Sequence, residues 1–306
     1  MRPRQGRALA AVFVVCLAVS ACGGSPISPD PGGGGGGGGS GPPPFPNNNV
    51  LVGAGDIALC GSPGSEQTAR LIDNIPGTVF TAGDNAYPFG AVKDFQECYS
   101  PTWGRFRDRT RPTPGNHDYL TAGASGYFQY FGPNAGPSGL GYYSYTVSTW
   151  KILALNSEIF DAGPRAAQLS WLQSELAANP GQCTLAIWHR PLYTSGPNGE
   201  NQDMRDVFRI LYTANVDVVL NGHDHLYERF APQDADGHAD ALKGIREFVV
   251  GTGGYDLYDP GTRRPNSEVV LKAFGVLKLT LNPGSYEWEF IPSTPGVRDT
   301  GTGTCH

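Results

Sequence analysis

Five short polar motifs are the parts of this 306-residue chain best suited to chemistry. Each directly follows a hydrophobic, strand-like run, and in chain order they are Gly55-Asp56, Gly83-Asp84-Asn85-Ala86-Tyr87, Gly115-Asn116-His117-Asp118, Trp188-His189 and Gly222-His223-Asp224-His225. Their carboxylate, amide, phenol and imidazole groups are a sufficient set of ligands for two metal ions that share one bridging carboxylate. The motifs therefore predict a centre that holds two metals.

Each motif side chain, considered alone, also has a simpler explanation. An aspartate at the end of a strand is more often a turn former or a helix cap than a ligand. A lone histidine is usually an ordinary surface or partly buried residue. The motif from Gly222 to His225 differs, because two histidines two positions apart on a turn beside an apolar strand have little structural reason to be there. Five such motifs in succession favour the metal centre.

Strands and helices alternate along the chain, which predicts an α/β fold with sheet packed on sheet and helices outside. The predicted strands are Val50–Ala54, Thr78–Ala82, Tyr142–Ser148, Ile152–Leu155, Thr184–Trp188, Val216–Leu220, Arg246–Val250, Val276–Leu281 and Tyr286–Ile291. The predicted helices are Ser65–Ile75 with Ser65 as its cap, one that begins at Pro164 and stops before Pro180, and Asp203–Thr213. Open α/β sheets present ligand-binding loops at the carboxyl ends of their strands, so the motif loops should converge on one site.

The order and spacing of the motifs resemble the calcineurin-like metallophosphoesterase superfamily and, within it, the purple acid phosphatases. That pattern is Asp-x-Gly, Gly-Asp-x-x-Tyr, Gly-Asn-His-Asp/Glu, a strand ending in His, and Gly-His-x-His, and it departs here only at Ala58, where the family usually has glycine. The resemblance covers roughly Leu51 to Phe290. It implies a four-layer α/β/β/α sandwich in its small form, without an upstream β domain.

The resemblance also implies a role for each motif residue. Asp56, Tyr87 and His225 would bind one metal, normally Fe(III), and Asp84 would bridge to the second. The chemistry agrees with this division, because a phenol with an ordinary pKa of about 10 ligates readily only as phenolate on a hard, highly charged ion.

The second metal implied by the resemblance is divalent, either Fe, Zn or Mn. Its ligands would be Asn116, His189 and His223, an amide and two imidazoles that suit such an ion. His117, held by its neighbour Asp118, is the candidate general acid that protonates the departing alkoxide. The segment after His189 contains no further histidine, and its polar residues, Arg190 among them, could either orient a phosphate or belong to an exposed loop.

The expected activity is hydrolysis of small phosphomonoesters, in which a metal-activated water attacks phosphorus. A phosphodiesterase or nucleotide hydrolase with the same two-metal centre is the alternative. A non-enzymatic surface-binding protein is a weaker third possibility, because it would have no reason to keep a complete ligand set and His117. The formal net charge of −6 argues against binding to nucleic acid, which depends on clustered Lys and Arg.

The N-terminal sequence predicts export to a bacterial cell envelope. Residues 1–21 read as a signal peptide, with early arginines and an apolar run, Ala8–Ala21, too short to span a bilayer. Val19–Cys22 resembles a lipobox, in which Cys22 would be lipidated and would anchor the protein to a membrane, the alternative being an ordinary cleavage site near Ala21. Residues 22–49, rich in Gly and Pro, predict a flexible linker before a folded domain at residues 50–306.

Four further cysteines remain after Cys16 and Cys22 are set aside. An even number in an exported protein favours two disulfides, for which three pairings are possible. We favour Cys60 with Cys98 and Cys183 with Cys305, since the first two lie in loops just after the first two motifs. The sequence says nothing about the oligomeric state.

Overall fold

Two β-sheets form the centre of the fold in the computed structural model, which describes residues 49–160 and 162–306. One sheet has the spatial order β13 (Asp299–Thr304), β12 (Ser285–Pro292), β11 (Gly275–Asn282), β1 (Val50–Ala54), β2 (Thr78–Ala82) and β3 (Thr110–Thr113). The other has the order β10 (Ser267–Leu271), β8 (Tyr227–Phe230), β9 (Arg246–Val250), β7 (Val218–Asn221), β6 (Thr184–Ile187), β5 (Trp150–Ala154) and β4 (Tyr143–Val147). The predicted signal peptide, the lipobox with Cys22 and most of the linker lie outside the described residues.

Helices cover the outer faces of the two sheets. The α-helices are α1 (Gly64–Ile72), α2 (Val92–Asp94), α3 (Ser125–Phe131), α4 (Ala162–Ala177) and α5 (Arg205–Thr213). A π-helical turn (Phe95–Tyr99) and a 3-10 turn (Trp103–Arg109) continue from α2. Within the described part of the chain, none of these helices is long and apolar enough to cross a membrane.

Alternation along the strands of the second sheet separates two hydrophobic cores. Leu185 and Ile187 on β6 point into the core between the sheets, where they join Val52 of β1. Ala186, between them in sequence, points to the other side and joins Leu172 of α4. Successive side chains on a strand face opposite sides, so both faces of this sheet are buried. The layers are therefore α/β/β/α, as predicted.

Parallel pairing brings the motifs to one edge. β1, β2 and β3 run parallel to one another, as do β5, β6, β7 and β9. The two sheets meet at this edge, where the Gly55 N–H donates to the Val250 carbonyl at 2.8 Å. All five motifs follow the carboxyl ends of these strands and so occupy the same edge of the fold.

The N-terminus of α1 differs from the prediction. The helix begins at Gly64 with Pro63 at the N-cap position, and Ser65 lies buried inside the first turn. The hydroxyl of Ser62 instead accepts a hydrogen bond from the Gly64 N–H at 3.3 Å. Ser65 was the wrong cap because the N-cap position lies two residues earlier than the apolar pattern alone indicates.

Both favoured disulfides are present. Cys60, in the loop after β1, is bonded to Cys98, in the π-helical turn. Cys183, directly before β6, is bonded to Cys305, directly after β13. The second bridge joins the two sheets at the end of the fold opposite the motifs.

Candidate metal centre

Three of the predicted ligands have left-handed backbone conformations. Asp56, Asp84 and His223 have φ values of 61°, 49° and 71°. Such a conformation costs a residue other than glycine about 1–3 kcal/mol and persists only where its surroundings enforce it. Here the side chains themselves hold the loops: the His223 N–H donates to Asp56 Oδ2 at 2.8 Å, and the His117 N–H donates to Asp84 Oδ1 at 2.7 Å. The strained residues are therefore fixed by one another.

Two motif glycines are required by close approach of other residues. A Cβ atom on Gly83 would lie 2.5 Å from the ring of His189, and one on Gly222 would lie 2.6 Å from Asp56 Oδ2. Contacts this short are excluded, so any larger residue would displace a predicted ligand. The glycines thus allow the motifs to meet.

The first group of side chains, which we call the oxygen-rich cluster, consists of Asp56, Asp84, Tyr87 and His225. Tyr87 Oη lies 3.0 Å from Asp56 Oδ1 and 3.0 Å from Asp84 Oδ2. His225 Nε2 lies 3.3 Å from Asp56 Oδ1 and 3.4 Å from Tyr87 Oη. A phenol has one proton and cannot donate to both carboxylates. A bound cation would satisfy all of these atoms together.

The second group, the nitrogen-rich cluster, consists of Asn116, His189 and His223 together with Asp84. His189 Nε2 lies 3.0 Å from Asn116 Oδ1, 3.2 Å from Asp84 Oδ2 and 3.2 Å from His223 Nδ1. The other ring nitrogen, Nδ1, lies 2.9 Å from the carbonyl oxygen of Ala82, which can only accept. His189 in its neutral form therefore carries its proton on Nδ1 and turns the Nε2 lone pair toward the cluster.

Asp84 Oδ2 belongs to both clusters, because it lies 3.0 Å from Tyr87 Oη and 3.2 Å from His189 Nε2. The donor set thus fits two cations that share one carboxylate, with a phenol on one side and an amide and imidazoles on the other. One other group of potential ligands occurs among the described residues, Cys183, Asp217 and Cys305, but its cysteines form a disulfide.

Burial and charge shift the pKa values of the clustered groups. Burial, followed by the charges of Asp56 and Asp84, raises the pKa of Tyr87 well above its usual value. Burial favours protonation of Asp84, but His189 outweighs it and lowers the pKa of that carboxyl. Burial likewise disfavours the charged form of His189, yet Asp84 raises its pKa to about 10. A metal ion would compete for the same atoms with the proton shared by His189 and Asp84. A bound cation would also lower the pKa of Tyr87, which is opposite to the shift caused by burial and the two carboxylates.

His117 lies beside the oxygen-rich cluster but is not part of it. Its Nδ1 lies 2.7 Å from the carbonyl oxygen of Pro88, to which it can donate. Its ring packs against the Tyr87 ring, with 4.4 Å between centroids. The ring position is therefore fixed, and Nε2 is the ring nitrogen that the contact with Pro88 does not use.

Asp118 does not hold His117, so this predicted role is wrong. Its buried carboxylate accepts from the Gly115 N–H at 2.9 Å and from Asn85 Nδ2 at 2.9 Å. Adjacent residues in a helical turn point in different directions, and Asp118 begins the 3-10 turn Asp118–Leu120. The carboxylate instead ties the second motif to the third.

Two tyrosines that the sequence reading did not include complete the wall of the site. The Tyr255 ring stacks on that of Tyr87 at 3.7 Å, and the Tyr258 ring stacks on that of His225 at 3.9 Å. They follow the glycine-rich segment Gly251–Gly254, which comes directly after β9. This is the same sequence signal, a buried strand followed by glycine, that marks the other motifs.

Arg190 and Glu158 form a second feature of the site, of which the sequence singled out only Arg190. Arg190 Nε lies 3.0 Å from both carboxylate oxygens of Glu158, and its NH1 lies 3.4 Å from His223 Nε2. Asn198 Nδ2 donates to the His223 carbonyl at 2.7 Å. The segment after His189 thus supports the nitrogen-rich cluster. Its first residue, Arg190, is held by Glu158 and does not belong to an exposed loop.

Comparisons with known proteins agree with this geometry. The family model described as calcineurin-like phosphoesterase matches residues 42–227. Purple acid phosphatase 15 of Arabidopsis thaliana is 28% identical over 218 residues, which are 57% of this chain and 41% of that protein. Tartrate-resistant acid phosphatase type 5 of Mus musculus is 31% identical over 90 residues, covering 29% of this chain and 27% of that protein.

The solved structure of a purple acid phosphatase from yellow lupin (Lupinus luteus) seeds has a similar fold. Its TM-score is 0.67 at 21% identity, and the match covers 86% of this chain and 55% of that one. The chain spans less than half the length of the curated relatives described above. Because the family model matches well over half of the chain, and because the motifs it covers converge in space, the protein belongs to the calcineurin-like phosphoesterase family.

Proposed function

We propose that the protein is a two-metal hydrolase of phosphomonoesters. The observation that carries this proposal is the position of Asp84 Oδ2, 3.0 Å from Tyr87 Oη and 3.2 Å from His189 Nε2. One carboxylate oxygen directed at two ligand clusters is the arrangement that a pair of cations requires. Membership of a phosphoesterase family, and acid phosphatases among the relatives, support phosphate esters as the substrate class.

The two clusters divide the metals by their chemistry. The oxygen-rich cluster would hold Fe(III), since a phenolate suits a hard, highly charged ion, and the nitrogen-rich cluster would hold divalent Fe, Zn or Mn. When bound, the two cations would neutralise phosphate oxygens and activate the water that attacks phosphorus. The protein holds both clusters on strained loops that hydrogen-bond to one another, which keeps the metals and the substrate correctly positioned.

His117 would protonate the leaving group. Its Nδ1 donates to the Pro88 carbonyl, so the proton that it transfers sits on Nε2. Because the ring is only partly buried, an alkoxide leaving from a bound ester can approach it. Asp118 contributes indirectly, through the loop that carries His117.

Export and lipid anchoring are also part of the proposal. Two disulfides support an oxidising compartment such as the bacterial cell envelope. We expect Cys22→Ser to yield unprocessed or freely soluble protein, because the lipid is attached through that sulfur. Wild-type protein that washes off membranes without detergent would contradict the anchor. The expected partners are small phosphate esters and the membrane at the anchor, with no nucleic acid.

A hydrolysis screen on protein of known metal content tests the function. Alkyl and aryl phosphomonoesters and the matching diesters are assayed with protein that holds two metals per chain. We expect turnover of the monoesters. Turnover of diesters alone would replace the proposal with a phosphodiesterase, and no turnover of either class by the two-metal protein would exclude the proposed activity.

A further inference from the structure

Arg190 is held in one position from two directions. Its Nε lies 3.0 Å from each carboxylate oxygen of Glu158, whose side chain is only 3% exposed. Its backbone N–H donates to Ser157 Oγ at 3.1 Å. A guanidinium is a planar fork of donors, so fixing its Nε edge also fixes the direction of its remaining N–H groups.

The remaining donors of Arg190 approach an unusual neighbour, Nε2 of His223. His223 turns Nδ1 toward the nitrogen-rich cluster, 3.2 Å from His189 Nε2, and Nε2 away from it. An imidazole that gives one nitrogen to a cation keeps its proton on the other, and that N–H normally donates to an acceptor. His189 follows this rule with the Ala82 carbonyl, whereas His223 Nε2 lies 3.4 Å from Arg190 NH1, itself a donor.

Arg190 NH1 cannot accept from His223, and the guanidinium places a fixed positive charge beside the nitrogen-rich cluster. The Arg190 side chain is 28% exposed, so a solute can reach it. A fixed positive charge with planar N–H donors is the feature of a site for an anionic oxygen.

We propose that the Arg190 guanidinium binds a charged, non-bridging oxygen of the substrate phosphate, which makes Arg190 a residue that selects phosphomonoesters. The proposal rests on the proposed function. A monoester dianion has three non-bridging oxygens, while a diester has two and one negative charge fewer. A third, cationic contact beside the metal centre therefore favours the monoester. Glu158 is a positioning residue, because it acts only through Arg190.

Binding of inorganic phosphate to the metal-loaded protein tests the anion site without turnover. Wild type, Arg190→Gln and Arg190→Lys are compared by calorimetry after metal analysis. We expect Arg190→Gln to keep both metals and to bind phosphate about 10- to 100-fold more weakly, the range for a lost charge-assisted hydrogen bond. The phosphate affinity of Arg190→Lys should lie between those of the wild type and Arg190→Gln, since lysine keeps the charge but loses the planar fork of donors.

Arg165→Gln is the matched control, because it removes a guanidinium from a surface ion pair between Arg165 on α4 and Asp206. It should leave the phosphate affinity and the metal content unchanged. Unchanged phosphate affinity in metal-loaded Arg190→Gln would overturn the proposal. So would loss of metal from both Arg190 variants, which would make Arg190 a support for the metal ligands alone.

Kinetics separate this inference from the proposed function. The KM of Arg190→Gln should rise more for an aryl monoester than for the matching diester, and an equal rise for both would refute the selective role. If the wild type binds phosphate in an Arg190-dependent manner but hydrolyses no ester, the anion site stands and the proposed activity fails. If the loaded wild type binds no phosphate, the anion site itself is refuted.

Discussion

Two buried carboxylates, Asp84 and Asp299, show opposite surroundings. Asp299, on β13, is 8% exposed and is surrounded by donors. It accepts from Tyr227 Oη at 2.6 Å, from Arg229 Nε at 2.7 Å and from Trp288 Nε1 at 3.1 Å. These hydrogen bonds satisfy the carboxylate within the protein, and nothing further is needed to keep it buried.

Asp84 is 1% exposed, and its Oδ2 faces a phenol, an imidazole and, through them, a second carboxylate. The second carboxylate, Asp56, can only accept when ionised, and the phenol of Tyr87 has one proton for two carboxylates. Burial of such a group is costly unless a cation enters. The difference between the two sites is that direct donors satisfy Asp299, whereas the phenol beside Asp84 is shared with Asp56, an arrangement that suits a cation.

Asp84→Ala is expected to have the largest effect. Because Asp84 is the one residue shared by the two clusters, its removal should release both metals together and reduce hydrolysis to the uncatalysed background. Metal analysis after gel filtration measures this directly. The control is Asp299→Asn, which should retain both metals. Full retention of one ion in Asp84→Ala would show that the carboxylate does not bridge.

His117→Ala should have the next largest effect and should separate catalysis from metal binding. The His117 backbone N–H supports Asp84, but its side chain does not, so the metals should remain. We expect turnover of alkyl phosphates to fall about 10²–10⁴-fold, the range for loss of general acid catalysis. An activated aryl phosphate needs little proton assistance, so an equally large loss with that substrate would argue against the role of acid.

Asp299→Asn tests the structural role of Asp299 through the unfolding free energy of the protein. Burial disfavours ionised Asp299, but hydrogen bonds from Arg229 and Tyr227 outweigh it and lower the pKa of the carboxyl. The variant should lose about 1–3 kcal/mol of unfolding free energy at pH 7. A lowered pKa stabilises the fold above the unfolded-chain value of about 3.9, and this stabilisation is lost as the pH falls through the folded value.

Urea unfolding of the wild type and Asp299→Asn at pH 7 and in progressively more acidic buffers measures this contribution. The difference in unfolding free energy between the two proteins should have its full value at pH 7 and should decrease in acid. A gap that stays constant over the whole range would mean that the charge of Asp299 does not contribute.

Tyr87→Phe should have the smallest effect on structure, because the ring and its stacking on Tyr255 are kept. If Tyr87 binds Fe(III) as phenolate, the wild type should have a visible charge-transfer band that the variant lacks. The measurement is an absorption spectrum of iron-loaded protein. A band that survives in Tyr87→Phe, or its absence from the iron-loaded wild type, would show that the phenol is not a ligand.

The convergence of the motifs could be predicted from the sequence because four of the five motifs follow a predicted strand, and parallel strands bring their carboxyl ends together. β3 could not, since its four residues include Pro112, which argues against a strand; the structure places it at the edge of its sheet, where proline is tolerated.

β13 was missed for a different reason. Gly301 and Gly303 weaken its strand pattern, but in the structure the rings of Trp288 and Tyr286 on β12 press directly against them, so that a Cβ at either position would clash. Aromatic residues on one strand cover glycines on the next, a relation between distant positions that no local pattern contains.

The site itself shows the same limit. The predicted ligands were marked by type and spacing, whereas the partner of Asp118 was not, because neighbours in sequence need not be neighbours in space. Likewise, Tyr255 and Tyr258 come to the site only through β9, whose place in the sheet depends on long-range pairing.

Both ends of the folded domain lie at the amino ends of the central strands, away from the motifs. Asn49 enters β1 from that side, and Cys305 is fixed to Cys183 just before β6. β1 alone is about 17 Å long at the usual rise for a strand. An attachment at the N-terminus would therefore join the domain at the end opposite the mouth of the metal centre, so that the point of attachment would not lie at the mouth.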